Sequence, residues 1–159
     1  MVQVNANQNK LMTLKAGSWM LLLTVVMLLA AGCKKEDINQ QLGIPYVKVD
    51  QYLLLNNPTS IGLNAVGGYI LLNAGSRGIV VYHRSYDEYV AFDLHCTWQP
   101  EQICGVVSPD TASTVILNCA CCTSKFSMID GTVLNGPSIK QLLQYRAQLS
   151  DGATLHIYN

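Results

Sequence analysis

Residues 119–126 read CACCTSKF, and this stretch decides how the rest of the chain is interpreted. Upstream, the loop from His95 to Cys104 contributes two more cysteines, so five of the six cysteines fall in two clusters. Thiolates held on separate short turns can converge on one point, which favours a metal or cluster site. Five is an odd number, so disulfide pairing alone leaves at least one thiol unexplained.

The residues around the two clusters predict an all-β domain. Short β-forming runs alternate with Gly, Asn, Asp and Pro, a pattern typical of a small antiparallel sandwich or barrel. Asp130-Gly131 and Asp151-Gly152 each separate two such runs and predict hairpins, because Asp-Gly accepts the positive φ angles of a tight turn. Only residues 139–143 suggest a short helical turn. We expect strands over residues 46–49, 52–55, 68–72, 78–83, 89–93, 114–117, 125–128, 132–134, 144–149 and 154–158.

The first 32 residues predict a lipoprotein signal peptide. An uncharged apolar run over residues 16–32 follows Lys10 and Lys15 and ends in small residues directly before Cys33. This run is shorter than the roughly 20 residues that a membrane-spanning helix needs. LAAGC at residues 29–33 resembles the lipobox of bacterial lipoproteins, in which the cysteine is acylated. We therefore expect a lipidated Cys33, a polar tether over residues 33–43 and a mature domain over residues 44–159.

The charge pattern and the leader restrict the partners and the compartment. Ten basic residues balance ten acidic ones without a basic cluster, which excludes nucleic acid as a partner. No Ser-His-Asp ordering or phosphate-binding glycine loop supports a hydrolase or a transferase. No twin-arginine pair precedes the apolar run, so we expect export in the unfolded state and folding where dithiols oxidise. The charged segment after Cys33 resembles the tether of Bacteroidetes lipoproteins, which implies a cell-envelope protein held at the outer membrane.

The cysteine clusters and the residues that follow them resemble a Rieske iron–sulfur domain. CACCTSKF is followed by a hairpin and by LNGPS at residues 134–138, as in the second half of that family, and AFDLHCTW at residues 91–98 resembles the strand leading into its first loop. In the family, one Cys and one His from each loop hold a [2Fe–2S] cluster, and a further Cys in each loop forms a disulfide. The resemblance implies a Rieske-like all-β fold with a Cys-loop subdomain.

The family's ligand positions carry over only in part. Cys96 and Cys119 match the two cysteine ligands. Trp98 falls at the first histidine position and Cys122 at the second. An indole nitrogen is only a donor, so Trp98 cannot replace a ligand histidine. Any cluster in this chain therefore has an altered ligand set.

Other matched positions surround the site. The resemblance makes Cys104 and Cys121 the bridging disulfide pair. It also makes Ser124 a hydrogen-bond donor to a cluster sulfur, and it makes Gly136 and Pro137 part of the loop that shields the cluster.

Three site compositions remain open. In the first, Cys104 joins Cys96, Cys119 and Cys122 in a four-thiolate [2Fe–2S] or iron site. In the second, the disulfide forms and the three remaining thiols bind zinc or a cluster together with His95, although neighbours in an extended chain point to opposite sides. In the third there is no metal, and two disulfides stabilise the domain.

The sequence thus predicts a lipid-anchored Rieske-like protein of the cell envelope. Its function is that of an iron–sulfur or metal-binding electron-transfer module or, alternatively, of a metal-free, disulfide-stabilised structural or interaction lipoprotein. We expect the membrane, through Cys33, as one partner. A redox protein that the sequence does not identify is the other.

Overall fold

Ten strands and two short helices make up residues 37–159, the part of the chain that the computed structural model describes. The helices are α1 (Ile38–Leu42) and a 3₁₀ helix (Pro58–Leu63). The strands are β1 (Asp50–Leu54), β2 (Tyr69–Leu72), β3 (Ile79–Ser85), β4 (Glu88–Asp93), β5 (Val107–Pro109), β6 (Ile116–Cys119), β7 (Lys125–Ser127), β8 (Val133–Asn135), β9 (Gln144–Ser150) and β10 (Thr154–Tyr158).

The strands form two antiparallel sheets. One has six strands in the order β1-β10-β9-β4-β3-β2, and the other has four in the order β5-β6-β7-β8. The all-β prediction is confirmed. The predicted signal peptide and Cys33 lie outside the described residues. Within residues 37–159, no helix is long and apolar enough to cross a membrane.

The strands β3 and β4 are buried on both faces. Successive side chains along each strand point to opposite faces, so they contribute to two separate core clusters. Val80 and Phe92 point to one side, where they pack with Leu117 and Phe126 from the four-stranded sheet. This cluster also contains Cys96 and Cys119, so each cysteine loop has one cysteine packed in the core. On the other side, a second cluster comprises Leu42, Ile44, Val49, Leu63, Ile79, Val81, Ala91, Leu143, Tyr145, Leu155 and Ile157.

Both predicted Asp-Gly turns form hairpins. Residues 130–131 lie between the paired strands β7 and β8, and residues 151–152 lie between β9 and β10. Gly131 has a φ of +73°, and a Cβ at this position would lie 2.6 Å from the ring of Phe92. Glycine is therefore required there both by the backbone conformation and by the close approach of a core ring.

Some sequence expectations fail. Residues 46–49 form no strand, and residues 139–143 form no helical turn. Val49 is instead buried and bonded to Asn159, whose side-chain oxygen accepts from the Val49 amide at 3.0 Å. The short strand β5 was not expected because it ends in Pro109. Its edge position in the four-stranded sheet explains why a proline is tolerated there.

The expected tether is partly folded. Asp37 caps α1 by accepting the amide of Asn39 at 3.1 Å, and Gly43 ends the helix with a φ of +70°. Leu42 is buried in the second core cluster. Asp before and Gly after five residues are ordinary helix-capping signals, but the short segment between them is too polar to show helical periodicity.

Candidate metal centre

The first cysteine loop leaves the core at the end of β4 and returns at β5. His95 forms an isolated β-bridge with Val106, and the amide of Cys96 donates to the carbonyl of Gly105 at 2.8 Å. These bonds hold the two ends of the loop together. Cys96 is fully buried as a result.

A buried carboxylate anchors this loop, and sequence reasoning missed it. Asp93 has no exposed surface, and its Oδ2 accepts the Ser76 amide at 2.7 Å and the Tyr145 hydroxyl at 2.7 Å. Its Oδ1 accepts the amides of His95 at 2.8 Å and Arg77 at 3.3 Å. Four donors thus compensate for the burial of the charge. Asp93 follows the apolar residues of β4 directly, and an acidic residue in that position could have indicated a buried, hydrogen-bonded carboxylate.

His95 does not join the cysteines. Its Nε2 lies 2.7 Å from the Pro100 carbonyl and its Nδ1 lies 2.9 Å from the Ser76 hydroxyl. A carbonyl oxygen only accepts, so Nε2 carries the proton, and burial lowers the pKa of His95 and favours the neutral ring. These contacts occupy both ring nitrogens. In this structure His95 is therefore outside the group of candidate ligands, which consists of Cys96, Cys119 and Cys122.

The second cysteine loop connects β6 to β7, and a disulfide ties it to the first. Cys104 and Cys121 are bonded, with their Cα atoms 5.2 Å apart. The amide of Ala120 also donates to the Val106 carbonyl at 3.0 Å, so main-chain contacts hold the loops at this distance. Because Cys104 is consumed in the disulfide, the four-thiolate site that includes it does not form here.

The three remaining cysteines converge. The sulfurs of Cys96, Cys119 and Cys122 all lie within 4.8 Å of one another, and those of Cys96 and Cys122 are 3.8 Å apart. Metal–sulfur bonds of about 2.3 Å place tetrahedral ligand sulfurs about 3.8 Å apart. The spacing of these thiols thus suits one thiophilic ion. Trp98 is not part of the group and instead lines a cleft beside α1.

The segment after β8 connects both cysteine loops. Its residue Ser138 donates its amide to the Ser124 hydroxyl oxygen at 2.8 Å, and the Ser138 hydroxyl lies 2.8 Å from that of Thr97. Thr97 also donates to the Lys140 carbonyl at 2.6 Å. Gly136 accepts from the Thr123 hydroxyl at 3.1 Å. The segment that begins at Gly136 is therefore bonded to each cysteine loop, whereas its expected shielding role stays a prediction.

The thiols of Cys96 and Cys122 differ in acidity. Burial raises the pKa of the Cys96 thiol, and the neighbouring Cys119 adds to this effect. Burial also opposes ionisation of Cys122, but hydrogen bonds with Ser124, Cys119 and Cys96 together outweigh it and lower the pKa of the Cys122 thiol. The Cys122 thiol donates to the Ser124 oxygen at 3.2 Å, and the same oxygen accepts the Ser138 amide. The partly exposed Cys122 therefore ionises more readily than the buried Cys96.

Comparison with known proteins bears on the fold. No protein-family model and no curated protein matches the chain. Among solved structures, a cyanobacterial plasma membrane Rieske protein from Synechocystis PCC 6803 is similar at 25% identity, with 64% of this chain and 95% of that chain covered and a TM-score of 0.49. The disulfide between the two cysteine loops, which the family resemblance in the sequence implied, is present in the structure.

Two further solved structures are similar to this chain. One is the ferredoxin of carbazole 1,9a-dioxygenase from Nocardioides aromaticivorans IC177, at 16% identity, 71% of this chain, 98% of that chain and a TM-score of 0.43. The other is a ferredoxin of Sphingomonas yanoikuyae B1, at 19% identity, 52% of this chain, 76% of that chain and a TM-score of 0.35.

The described residues do not fit the cluster with two histidine ligands that the family resemblance implies. Such a centre needs two imidazoles on one iron. In the described part of the chain, the group of possible metal ligands consists of cysteines alone, and Trp98 stands where one histidine is required. Three thiolates with an open fourth position do fit a single iron or zinc ion, since both accept sulfur ligands in tetrahedral geometry.

Proposed function

We propose that the chain is a lipid-anchored, Rieske-like electron-transfer module of the cell envelope that holds a thiolate-bound metal in place of a two-histidine [2Fe–2S] centre. The convergence of the sulfurs of Cys96, Cys119 and Cys122 within 4.8 Å supports the metal. Electron transfer requires a redox-active ion, so iron is the proposed occupant. Zinc at the same site would act structurally, because it has no redox chemistry.

The surroundings of the three thiols suit a site for one ion. Two of the sulfurs are buried and fixed by main-chain bonds, whereas Cys122 is partly exposed at the entrance. The bonds of Ser124 and Ser138 restrict the second loop. The fourth coordination position is left to water or to another small ligand, because no fourth protein donor joins the group within residues 37–159.

Elemental analysis of protein exported through its own leader tests the metal assignment. We expect about one iron per chain, with visible absorption from thiolate-to-iron charge transfer. Each single substitution of Cys96, Cys119 or Cys122 by Ser abolishes metal retention. The matched control is the double substitution Cys104→Ser with Cys121→Ser, which keeps the three thiols and retains metal. If zinc is found in place of iron, the proposed metal site stands and only the electron-transfer role is contradicted.

A metal-free protein is the second candidate, and the disulfide favours it. The disulfide between Cys104 and Cys121 supports this candidate, because structural disulfides persist in oxidising compartments. In that case the protein is a structural or interaction lipoprotein. Absence of iron and zinc from natively exported protein, together with a second disulfide among the other three thiols, would establish this alternative.

Membrane attachment is tested separately. Cys33→Ser removes the acylated residue, so we expect the variant to appear in the soluble envelope fraction while wild-type protein stays with the outer membrane. Cys33→Ala is a second variant with the same expectation. Unchanged membrane association of both variants would refute the lipoprotein assignment and leave the metal proposal untouched.

A further inference from the structure

The beginning of the described chain is fixed to the cysteine end of the domain. The side chain of Lys140 donates to the main-chain carbonyl of Gln41 in α1, and Lys140 follows the segment that is bonded to both cysteine loops. A cleft of about 360 Å³ lies between α1 and the first loop, with Leu42, Trp98 and Ile139 among its lining residues. The chain therefore enters the fold beside the first cysteine loop.

The proposed lipid attachment lies very close to this entry point in sequence. Asp37, the cap of α1, is four positions after Cys33, with three residues between them. An extended chain spans at most about 3.6 Å per residue, so Asp37 stays within roughly 14 Å of the lipidated cysteine. A helix rises only about 1.5 Å per residue, so α1 adds less than 10 Å. Lipidation at Cys33 would thus hold α1 and the adjacent first cysteine loop within reach of the membrane surface.

Exposed apolar side chains lie on α1, on the first cysteine loop and in the segment after β8, and we call them together the apolar tip (Ile38, Trp98, Ile103 and Ile139). Ile103 is 93% exposed and Ile139 is 90% exposed, the highest values among large aliphatic residues of the described chain. Trp98 and Ile139 line the same cleft. Apolar side chains beside a tryptophan are typical of surfaces that enter the interfacial region of a bilayer.

Charge does not explain the placement of the apolar tip. The tether contains Lys34 and Lys35 but also Glu36 and Asp37, so its net charge is zero. A surface with balanced charge gains little from anionic headgroups, whereas exposed isoleucines gain from leaving water whatever the lipid charge. Binding through the apolar tip is therefore expected to persist at high salt.

We propose that the apolar tip lies in the headgroup region of the bilayer that holds the lipid of Cys33, so that the cysteine end of the domain faces the membrane. This placement rests on the lipid anchor of the proposed function and not on the identity of the metal. It gives the exposed Ile103 and Ile139 an apolar environment, and it restricts access to Cys122 to groups at the membrane surface.

Tryptophan fluorescence tests the placement directly. The chain has two tryptophans, and Trp19 lies in the predicted signal peptide, so Trp98 is the single tryptophan of the mature protein. Lipidated protein is reconstituted into phosphatidylethanolamine–phosphatidylglycerol vesicles with or without brominated acyl chains. We expect brominated lipid to quench Trp98 emission roughly twofold, in low and in high salt, because tryptophan at the interface lies near the chains.

Two variants separate insertion from simple anchoring. The double substitution Ile103→Glu with Ile139→Glu should float with the vesicles but lose the quenching by brominated lipid. The control Ile61→Glu changes a 70% exposed residue of the 3₁₀ helix, outside the apolar tip, and should keep the quenching. Flotation of the wild-type protein without quenching would refute the placement alone. Failure to float would refute the lipid anchor and the placement with it, and metal content measured on the same samples would report on the metal proposal independently.

Discussion

The sulfur of Cys96 lies 3.8 Å from the sulfur of Cys122, although 26 residues separate the two in the sequence. Neither sulfur is in a disulfide, and Cys119 completes the group. At this distance the two sulfurs can bind the same metal ion. They are also near enough to form a disulfide after a small movement. The same geometry therefore makes metal binding and oxidation compete.

Oxidation of metal-free protein should join Cys96 to Cys122. A disulfide has an S–S bond of about 2.05 Å, so the two sulfurs need to approach by roughly 1.8 Å. Diamide takes up two electrons and two protons as the bond forms. We expect the number of free thiols to fall from three to one, as counted under denaturing conditions, with the bond located by peptide mass spectrometry. Bound metal should slow the reaction, and a bond that includes Cys119 instead would contradict the prediction.

Ser124→Ala should weaken metal binding. The Ser124 hydroxyl bonds to both the Cys122 sulfur and the Ser138 amide, so the substitution loosens a ligand and leaves a buried donor unpaired. Loss of such an outer contact lowers metal affinity by about 10-fold to 100-fold. Competition with a chromophoric chelator measures the change. Ser150→Ala, at an exposed position at the end of β9, is the control, and equal affinities of the two variants would show that Ser124 does not position the ligand.

Removal of the disulfide should destabilise the fold. The bond between Cys104 and Cys121 closes a loop with a sequence separation of 17 residues. Constraining a loop of this length contributes about 3 kcal/mol to stability. We expect the double serine variant to lose about that much free energy of unfolding in a urea titration. A loss below about 1 kcal/mol would indicate that other bonds between the loops, such as that of Ala120 with Val106, hold them without the disulfide.

Tyr145 should make the domain sensitive to alkali. Burial and the charge of Asp93 raise the pKa of Tyr145, so the folded state keeps a proton that the unfolded chain releases near pH 10. The unfolded chain then binds fewer protons than the folded one, and stability falls as the pH rises above about 10. Below that pH the contribution of the neutral hydroxyl is fully present.

Tyr145→Phe tests this dependence. The variant should lose about 1.5–3 kcal/mol at pH 7, because a hydrogen bond to a buried carboxylate is removed. Its stability should fall less steeply than that of wild-type protein between pH 9 and pH 11. Tyr86→Phe, at an 87% exposed position, is the control with no expected effect. Parallel pH profiles for wild-type protein and Tyr145→Phe would refute the assignment.

Local features of the fold could be predicted from short sequence patterns. The strand runs of β3 and β4 and the Asp-Gly pairs at 130–131 and 151–152 depend on neighbouring residues, because local backbone conformation is set by a few adjacent side chains. The same locality explains the errors. β5 is short and ends in Pro109, and residues 46–49 are apolar without being paired in a sheet.

The sequence by itself determined that two cysteine-bearing loops emerge from an all-β domain, that their thiols are odd in number and that the family's histidines are missing. Only the tertiary structure decided which sulfurs meet. It paired Cys104 with Cys121, turned His95 towards Ser76 and brought Cys122 to Cys96. The physical reason is that these relationships depend on how two sheets pack around a shared core and on a buried Asp93, and no short stretch of sequence encodes a distance across a core.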